Sequence, residues 1–126
     1  MSVSRPLLSI AIAATQPWPA ARVCLDSLYA QARRAGAEII VADGTGRSLP
    51  ADSSYPEIRR LEAPGRTVFQ LRALAMAAAA GEIVAVTEDH CRVASDWCEA
   101  ILRAHREFPE AAVIGGAVDN GSTGCL

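Results

Sequence analysis

The sequence predicts an α/β domain with a mainly parallel sheet and flanking helices. Four apolar runs show little alternation between apolar and polar positions, as expected for strands that are covered on both faces. Segments with helical periodicity separate these runs, and strands that alternate with helices favour right-handed βαβ units. With 126 residues, of which 51% are hydrophobic, the chain is long enough to form one domain with a real core.

The predicted strands are the four apolar runs and one weaker candidate between the second and third of them. In chain order they lie at Leu7–Ala14, Glu38–Ala42, Ile58–Glu62 (the weaker candidate), Glu82–Thr87 and Ala111–Val118. The loop from Gly44 to Pro56 has no apolar periodicity, and we expect it to be irregular and exposed.

Three helices are predicted between the strands. Apolar residues at positions 21, 24, 25, 28 and 32 form the stripe of the first helix, which Gly36 would end as a left-handed cap. The second helix, from residue 68 to residue 80, is apolar on nearly all sides, so we expect it to be buried. The third begins near Asp96, which has capping-box spacing with Glu99, and ends at Pro109. Its predicted inner face consists of Trp97, Ile101, Ala104 and Phe108.

Composition excludes several functional classes. The net charge is −2 and the chain has no lysine, so no clustered basic face is available to nucleic acid. Four cysteines lack the C-x-x-C spacing of a zinc or redox site, and Cys24 and Cys98 fall on apolar helix faces. No apolar run reaches the length of a membrane span, and residues 1–6 are too short and too weakly basic to be the n-region of a signal peptide. These features predict a reduced, cytoplasmic protein.

The most informative polar group is Glu88-Asp89-His90, which directly follows a buried strand. Ligands of parallel sheets bind beyond the carboxyl ends of the strands, where this triplet lies. Residues one and three of an extended turn point the same way, so Glu88 and His90 could hold one divalent cation while Asp89 turns elsewhere. A solvated turn with helix-capping acids is the alternative, and the triplet alone does not decide between them.

A second candidate is Asp43, which ends the second strand and precedes Gly44-Thr45-Gly46. Its carboxylate could accept hydrogen bonds from a ribose or a base, while the glycines let the backbone approach a ligand. A turn in which Asp43 binds local amides explains the same residues. The two glycines do not form a dinucleotide fingerprint, because the third glycine is missing.

Arg72 is one of two polar side chains in the predicted second helix. A buried arginine needs an anionic partner. That partner is either a structural carboxylate or a ligand phosphate, and the sequence leaves both possibilities open.

Taken in order, these segments resemble the family 2 glycosyltransferases with the GT-A fold, and the resemblance extends over almost the whole chain. Residues 8–13 look like the family's opening strand, and residues 19–31 are similar to its first helix. Residues 38–45 look like the phrase E-I-I-V-V-D-D-G-S. Residues 72–85 are similar to the A-R-N-x-G helix that runs into G-E-I-V-A, and residues 97–99 fall where W-L-E is usual.

The resemblance implies a Rossmann-like half-domain of a nucleotide-diphospho-sugar transferase, with residues 1–126 as a single donor-binding unit. By position it implies that Asp43 contacts the nucleobase and Arg72 lies near the donor phosphates. Glu88-Asp89-His90 occupies the place of the metal-binding D-x-D motif. The implied metal is Mn²⁺ or Mg²⁺, with His90 and Glu88 as its ligands. The implied nucleotide-sugar-binding residues are Ala13, Thr15, Asp43, Arg72, Glu88 and Asp89.

The sequence departs from the family's usual residues in three places. Ala42 replaces the first aspartate of a pair, and Thr15-Gln16 replaces the usual Tyr-Asn. Glu88 and His90 replace the two aspartates of D-x-D. The acceptor-binding half, which carries the catalytic base in inverting members, would follow Val118. We therefore expect a truncated chain without a catalytic base.

The implied activity is transfer of a sugar from a nucleoside-diphosphate sugar, UDP-sugar above all, to an acceptor hydroxyl with inversion. The acceptor, a polysaccharide, lipid or protein glycan, is not specified, and we expect this chain alone to be inactive. Peripheral association of the full-length protein with the inner face of the membrane stays open. The alternative is a non-catalytic module that binds a nucleotide or nucleotide-sugar. A receiver-like domain fits poorly, because it requires a lysine and the chain has none.

Overall fold

A four-stranded parallel sheet and three helices make up residues 5–46 and 55–119, the part of the chain that the computed structural model describes. The elements alternate between strand and helix, except that the second and third strands follow each other among the described elements. They are β1 (Leu8–Ala14), α1 (Trp18–Arg34), β2 (Glu38–Asp43), β3 (Arg59–Glu62), α2 (Val68–Ala78), β4 (Ile83–Glu88) and α3 (Trp97–Glu107). The predicted α/β class is confirmed.

The strand order is β3-β2-β1-β4, and every pairing is parallel. β1 lies between β2 and β4, and all seven of its residues are buried. This central position explains why its sequence is apolar without alternation. The weak third candidate is confirmed as a strand, since β3 pairs with β2 from Arg59 to Glu62.

The two faces of the sheet pack against different helices. Leu8, Ile10 and Ile12 of β1 belong to a core that α1 and α3 cover, whereas Ala11 and Ala13 belong to a core that α2 covers. Alternate residues of a strand point to opposite faces, so the two cores interleave along β1. The small side chains on the second face allow α2 to approach the sheet closely.

The amino ends of the strands are tied together by one polar network. The buried Ser9 hydroxyl donates to Glu38 Oε1 at 2.8 Å and accepts from the Gly81 N–H at 2.8 Å. Glu38 Oε1 also accepts from the Ala80 N–H at 2.7 Å. These bonds hold the α2–β4 turn against β1 and β2, at the end of the sheet opposite the candidate site.

The strand predicted at Ala111–Val118 is wrong, because these residues form no strand in the structure. Val113 and Val118 are 88% and 92% exposed. An apolar, β-branched segment becomes a strand only when a neighbouring edge supplies its hydrogen-bond partners. In the described part of the chain no strand pairs with this segment.

The helix boundaries agree well with the predictions, whereas the predicted burial of several helix residues does not. Gly36 follows α1 with a φ of 68°, as expected for a left-handed cap. The expected burial of α2 is wrong: Phe69 is 72% and Met76 48% exposed, because only one side of the helix meets the sheet. Phe108, predicted to face the core, is 53% exposed just beyond the end of α3.

The capping box predicted for α3 is also wrong, since the Asp96 side chain accepts no cap hydrogen bond. A capping box is present instead on α2, between Thr67 and Gln70. Among the helices of the described ranges, none has both the length and the apolar character needed to cross a lipid bilayer.

Candidate functional site

The parallel register brings the predicted polar residues to one edge of the sheet. Asp43 pairs with Ala14, and Glu88 pairs with Ala13, so both acids end strands that flank β1 at nearly the same level. Two strand spacings separate them, which is roughly 10 Å. The carboxyl ends of β2, β1 and β4 thus form a continuous edge with an acid at either side.

The turn after β4 separates the three residues of the predicted metal motif. A hydrogen bond from the Cys91 N–H to the Glu88 carbonyl, 3.0 Å long, closes this turn. His90 Nε2 lies 3.4 Å from Glu88 Oε2, so these two side chains share one side, as predicted. Asp89 is fully buried and points into the protein.

The Asp89 carboxylate binds the backbone of the loop after β1. Its Oδ2 accepts from the N–H groups of Thr15 and Gln16, at 3.0 and 2.7 Å. The Asp89 N–H donates to the Ala13 carbonyl at 3.2 Å. A fully buried side chain offers no atom to a ligand in this conformation. The contact between Asp89 and the nucleotide-sugar therefore stays a prediction.

Arg72 binds Glu88: its guanidinium donates to Glu88 Oε1. Of the two partners that the sequence left open, the carboxylate is the one observed. Arg72 is not buried, since its side chain is 37% exposed, and its guanidinium carbon lies 5.7 Å from the centre of the Phe69 ring. Glu88 therefore divides its two oxygens between Arg72 on one side and His90 on the other.

Asp43 makes the local turn that the sequence allowed as an alternative. Its Oδ1 accepts from the Thr45 N–H at 2.9 Å and from the Thr45 hydroxyl at 2.6 Å, and the residue is only 2% exposed. A Cβ on Gly44 would lie 2.7 Å from Leu71 Cδ1 of α2, so this buried leucine side chain would have to shift. The turn places the backbone of the β2 exit directly against the first turns of α2.

Ala13 and Thr15, the remaining residues predicted to bind the nucleotide-sugar, differ in how accessible they are to a ligand. Ala13 is buried, and its carbonyl is already taken by Asp89. Thr15 is exposed at the end of β1, so its side chain lies at the surface of the candidate site. Thus Thr15 is accessible to a ligand, whereas Ala13 contributes to the site through its backbone carbonyl, which binds the Asp89 N–H.

The donor set at this edge fits a cation that shares its ligands with a substrate. Within residues 5–46 and 55–119 no group of three or more His, Cys, Asp or Glu side chains is placed to hold a metal ion. Glu88 and His90 supply one carboxylate oxygen and one imidazole nitrogen. Mg²⁺ is usually bound by one or two carboxylates together with substrate phosphates, so two protein ligands suffice once a diphosphate is present.

A cysteine beneath the site has no part in this chemistry. Burial raises the pKa of the Cys24 thiol to about 12, and the nearby Cys91 and Asp89 add to the rise. The thiolate is the nucleophilic and metal-binding form of cysteine. Cys24 therefore stays protonated at neutral pH and acts as a core residue, in agreement with the sequence-based prediction.

Sequence reasoning missed two residues of the site. Gln16 contributes its backbone N–H to Asp89, and Thr45 contributes both an amide and a hydroxyl to Asp43. Backbone donors leave no side-chain signature, so nothing in the sequence indicates the role of Gln16. The position of Thr45, two residues after an aspartate in a turn, is a signal that could have indicated its role.

Comparison with known proteins agrees with the α/β fold. The family model described as "Glycosyl transferase family 2" matches residues 9–124. The solved structure of S. aureus TarS 1-349 aligns with 79% of this chain at a TM-score of 0.64 and 20% sequence identity. The aligned part is 32% of the TarS chain, so this chain spans about a third of that structure. No curated protein matches the sequence.

Proposed function

Because this chain belongs to glycosyl transferase family 2, we propose that it forms the donor-binding part of an inverting glycosyltransferase. The enzyme takes a sugar from a nucleoside-diphosphate sugar and transfers it to an acceptor hydroxyl. One observation carries the proposal: Asp43 and Glu88-Asp89-His90 lie at the carboxyl ends of β2 and β4, the two parallel strands that flank β1. This edge is where open parallel sheets bind their ligands.

The two ends of the edge take different parts of the donor. Asp43 receives the base or ribose of the nucleotide, and the diphosphate lies toward Glu88, roughly 10 Å away across β1. The guanidinium of Arg72, about a third exposed beside Glu88, adds positive charge for the phosphate oxygens. Thr15 lies between these two ends and faces the donor from the end of β1.

Glu88 and His90 are the residues that hold a divalent cation, Mn²⁺ or Mg²⁺, in this proposal. When bound, the cation supplies positive charge that stabilises the diphosphate leaving group. Arg72 shares the Glu88 carboxylate and so keeps it oriented toward His90 before any ligand arrives. Both effects are electrostatic and positional, as is usual for group transfer from a diphosphate.

The donor we propose is a UDP-sugar, and the acceptor is a polysaccharide, a lipid or a protein glycan. We also propose a cytoplasmic location, with peripheral association at the inner face of the membrane for the full-length protein. A non-catalytic module would bind the nucleotide-sugar and leave it intact. Assay of the full-length protein for release of UDP from a UDP-sugar separates that alternative from an enzyme.

Titration calorimetry of UDP, GDP and ADP, each with and without Mn²⁺, tests the proposal. We expect UDP to bind most tightly and its affinity to depend on Mn²⁺. Asp43→Asn keeps an oxygen for the Thr45 hydrogen bonds but removes the charge, so UDP affinity should fall about 10- to 100-fold. Asp96→Asn, the same change at an exposed position, should bind like the parent. Equal, metal-independent binding of all three nucleotides, or no binding, would contradict the proposal.

A further inference from the structure

We propose that Asp89 is a positioning residue that determines which ring nitrogen of His90 carries the proton. The consequence is that His90 Nε2 keeps its lone pair on the side of Glu88. The importance of this for metal binding rests on the proposed function, in which Glu88 and His90 hold the cation.

The Asp89 carboxylate is held in one orientation. Its side chain is fully buried, and Oδ2 is held by the N–H groups of Thr15 and Gln16 at 3.0 and 2.7 Å. The other oxygen, Oδ1, is buried and has no hydrogen-bond partner among the residues that the structure describes. Leaving a buried acceptor without a hydrogen-bond partner is unfavourable, and more so for a charged group. A donor that reaches Oδ1 is therefore stabilised there.

His90 can supply the hydrogen-bond donor that Asp89 Oδ1 lacks. Its Nδ1 lies 3.6 Å from Asp89 Oδ1, which is slightly too long for a hydrogen bond. The His90 side chain is 57% exposed, so its ring has room to rotate by the small amount that the bond requires. The Nδ1–H group then donates to Oδ1 and satisfies the buried oxygen.

The other ring nitrogen of His90, Nε2, is then left without a proton. A neutral imidazole carries a single N–H, so a proton on Nδ1 leaves Nε2 with its lone pair. Nε2 lies 3.4 Å from Glu88 Oε2, and two electron-rich atoms then face each other. A cation held by both residues would relieve this repulsion. Metal-binding histidines usually donate their other N–H to a carboxylate or carbonyl in this manner.

Asp89 therefore joins two parts of the candidate site. One oxygen holds the backbone of the loop after β1, where Thr15 lies, and the other orients His90. Asp89, the most buried acid among residues 5–46 and 55–119, thus aligns a metal ligand at the surface, which gives a reason for an aspartate in the interior of this turn.

The test reads the His90 tautomer directly, by ¹⁵N NMR of the two histidine side chains at about pH 8, where an unperturbed imidazole is neutral. His105→Gln assigns the signals. A free imidazole prefers its proton on Nε2, so a dominant Nδ1–H form of His90 in metal-free parent protein is the expected and diagnostic result. This measurement requires no substitution within the site and no bound ligand.

The variant Asp89→Asn provides the second readout. Its amide oxygen can still accept from Thr15 and Gln16, whereas its NH₂ group faces His90 and donates to Nδ1. The His90 proton should then move to Nε2, and Mn²⁺ affinity in the presence of UDP should fall about 10- to 100-fold. The control Asp96→Asn should change neither the tautomer nor the affinity.

Two results would overturn the role of Asp89. One is an Nε2–H form of His90 in the parent protein, and the other is parent-like Mn²⁺ affinity in Asp89→Asn. If the parent bound neither UDP nor Mn²⁺, the proposed function would fail, while the His90 tautomer would still decide whether Asp89 positions the ring.

Discussion

At the residue scale, Glu88, Asp89 and His90 show how three consecutive side chains reach three environments. Glu88 lies on the α2 side of the sheet and binds Arg72, Asp89 enters the interior, and His90 stands at the surface. The alternation of a strand and the turn that follows it produce this separation. Each residue therefore has its own partner, although all three come from one short motif.

A glycine at the opposite end of the sheet is equally constrained. A Cβ on Gly81 would lie 2.7 Å from Ser9 Oγ, 2.8 Å from Ser9 N and 3.0 Å from the Leu8 carbonyl carbon. Two of these atoms belong to the backbone of the central strand, which cannot move aside cheaply. Gly81 is therefore required for β4 to begin directly beside β1.

We expect Gly81→Ala to lower the free energy of unfolding by about 1–3 kcal/mol, the usual cost of overpacking. Urea denaturation followed by circular dichroism measures the change. Gly115→Ala is the matched control, because a Cβ there meets no atom within 4 Å and should alter stability by less than about 0.5 kcal/mol. Equal stability of the two variants would refute the packing argument.

At the element scale, α2 and α3 begin in different ways. The Thr67 hydroxyl accepts from the Gln70 N–H at 3.2 Å, and Gln70 Oε1 accepts from the Thr67 N–H at 2.9 Å. Asp96, at the corresponding position of α3, makes no side-chain cap hydrogen bond. The spacing of residue types was the same in both helices, and only the backbone conformation at Thr67 allowed the reciprocal bonds to form.

Removal of the two N-cap side chains should therefore have unequal effects. Thr67→Ala should destabilise the chain by about 1 kcal/mol, because an N–H of the first turn loses its acceptor. Asp96→Ala should change stability by less than about 0.5 kcal/mol. Thermal unfolding of both variants in the same buffer measures the difference, and a larger loss for Asp96→Ala would show that α3 depends on its cap more than the geometry indicates.

At the scale of the whole molecule, the sheet carries more apolar surface than its helices cover. β4 is an edge strand, and its Val86 is 40% exposed. Phe69 and Met76 of α2 are exposed on the same side of the sheet. An unpaired edge beside apolar side chains favours association with another chain.

We expect this 126-residue chain to self-associate through the β4 edge. Val86→Lys should raise the dissociation constant of the complex at least about tenfold, because a charged side chain on an edge strand opposes pairing. Val23→Lys is the matched control, since Val23 is 42% exposed on α1, away from this edge. Sedimentation velocity over a range of concentrations measures the change, and an equal effect of both substitutions would contradict the assignment to β4.

The sequence by itself determined the fold class, the order of the elements and the identity of the residues at the strand ends. These follow from local chemistry: continuous apolar runs for buried strands, a helical stripe closed by Gly36, and polar residues where the runs stop. The resemblance carried by these segments also indicated the family, which the match over residues 9–124 confirms.

Only the tertiary structure decided the partners. The position of α2 beside β4 brings Arg72 to Glu88, a contact that the sequence left open. The sequence predicted that Asp89 turns away from Glu88 and His90 but did not indicate its partners, which are the backbone N–H groups after β1. The segment at 111–118 has the composition of a strand but no paired edge. Contacts between residues distant in sequence depend on how elements pack, and no local pattern of residue types encodes that packing.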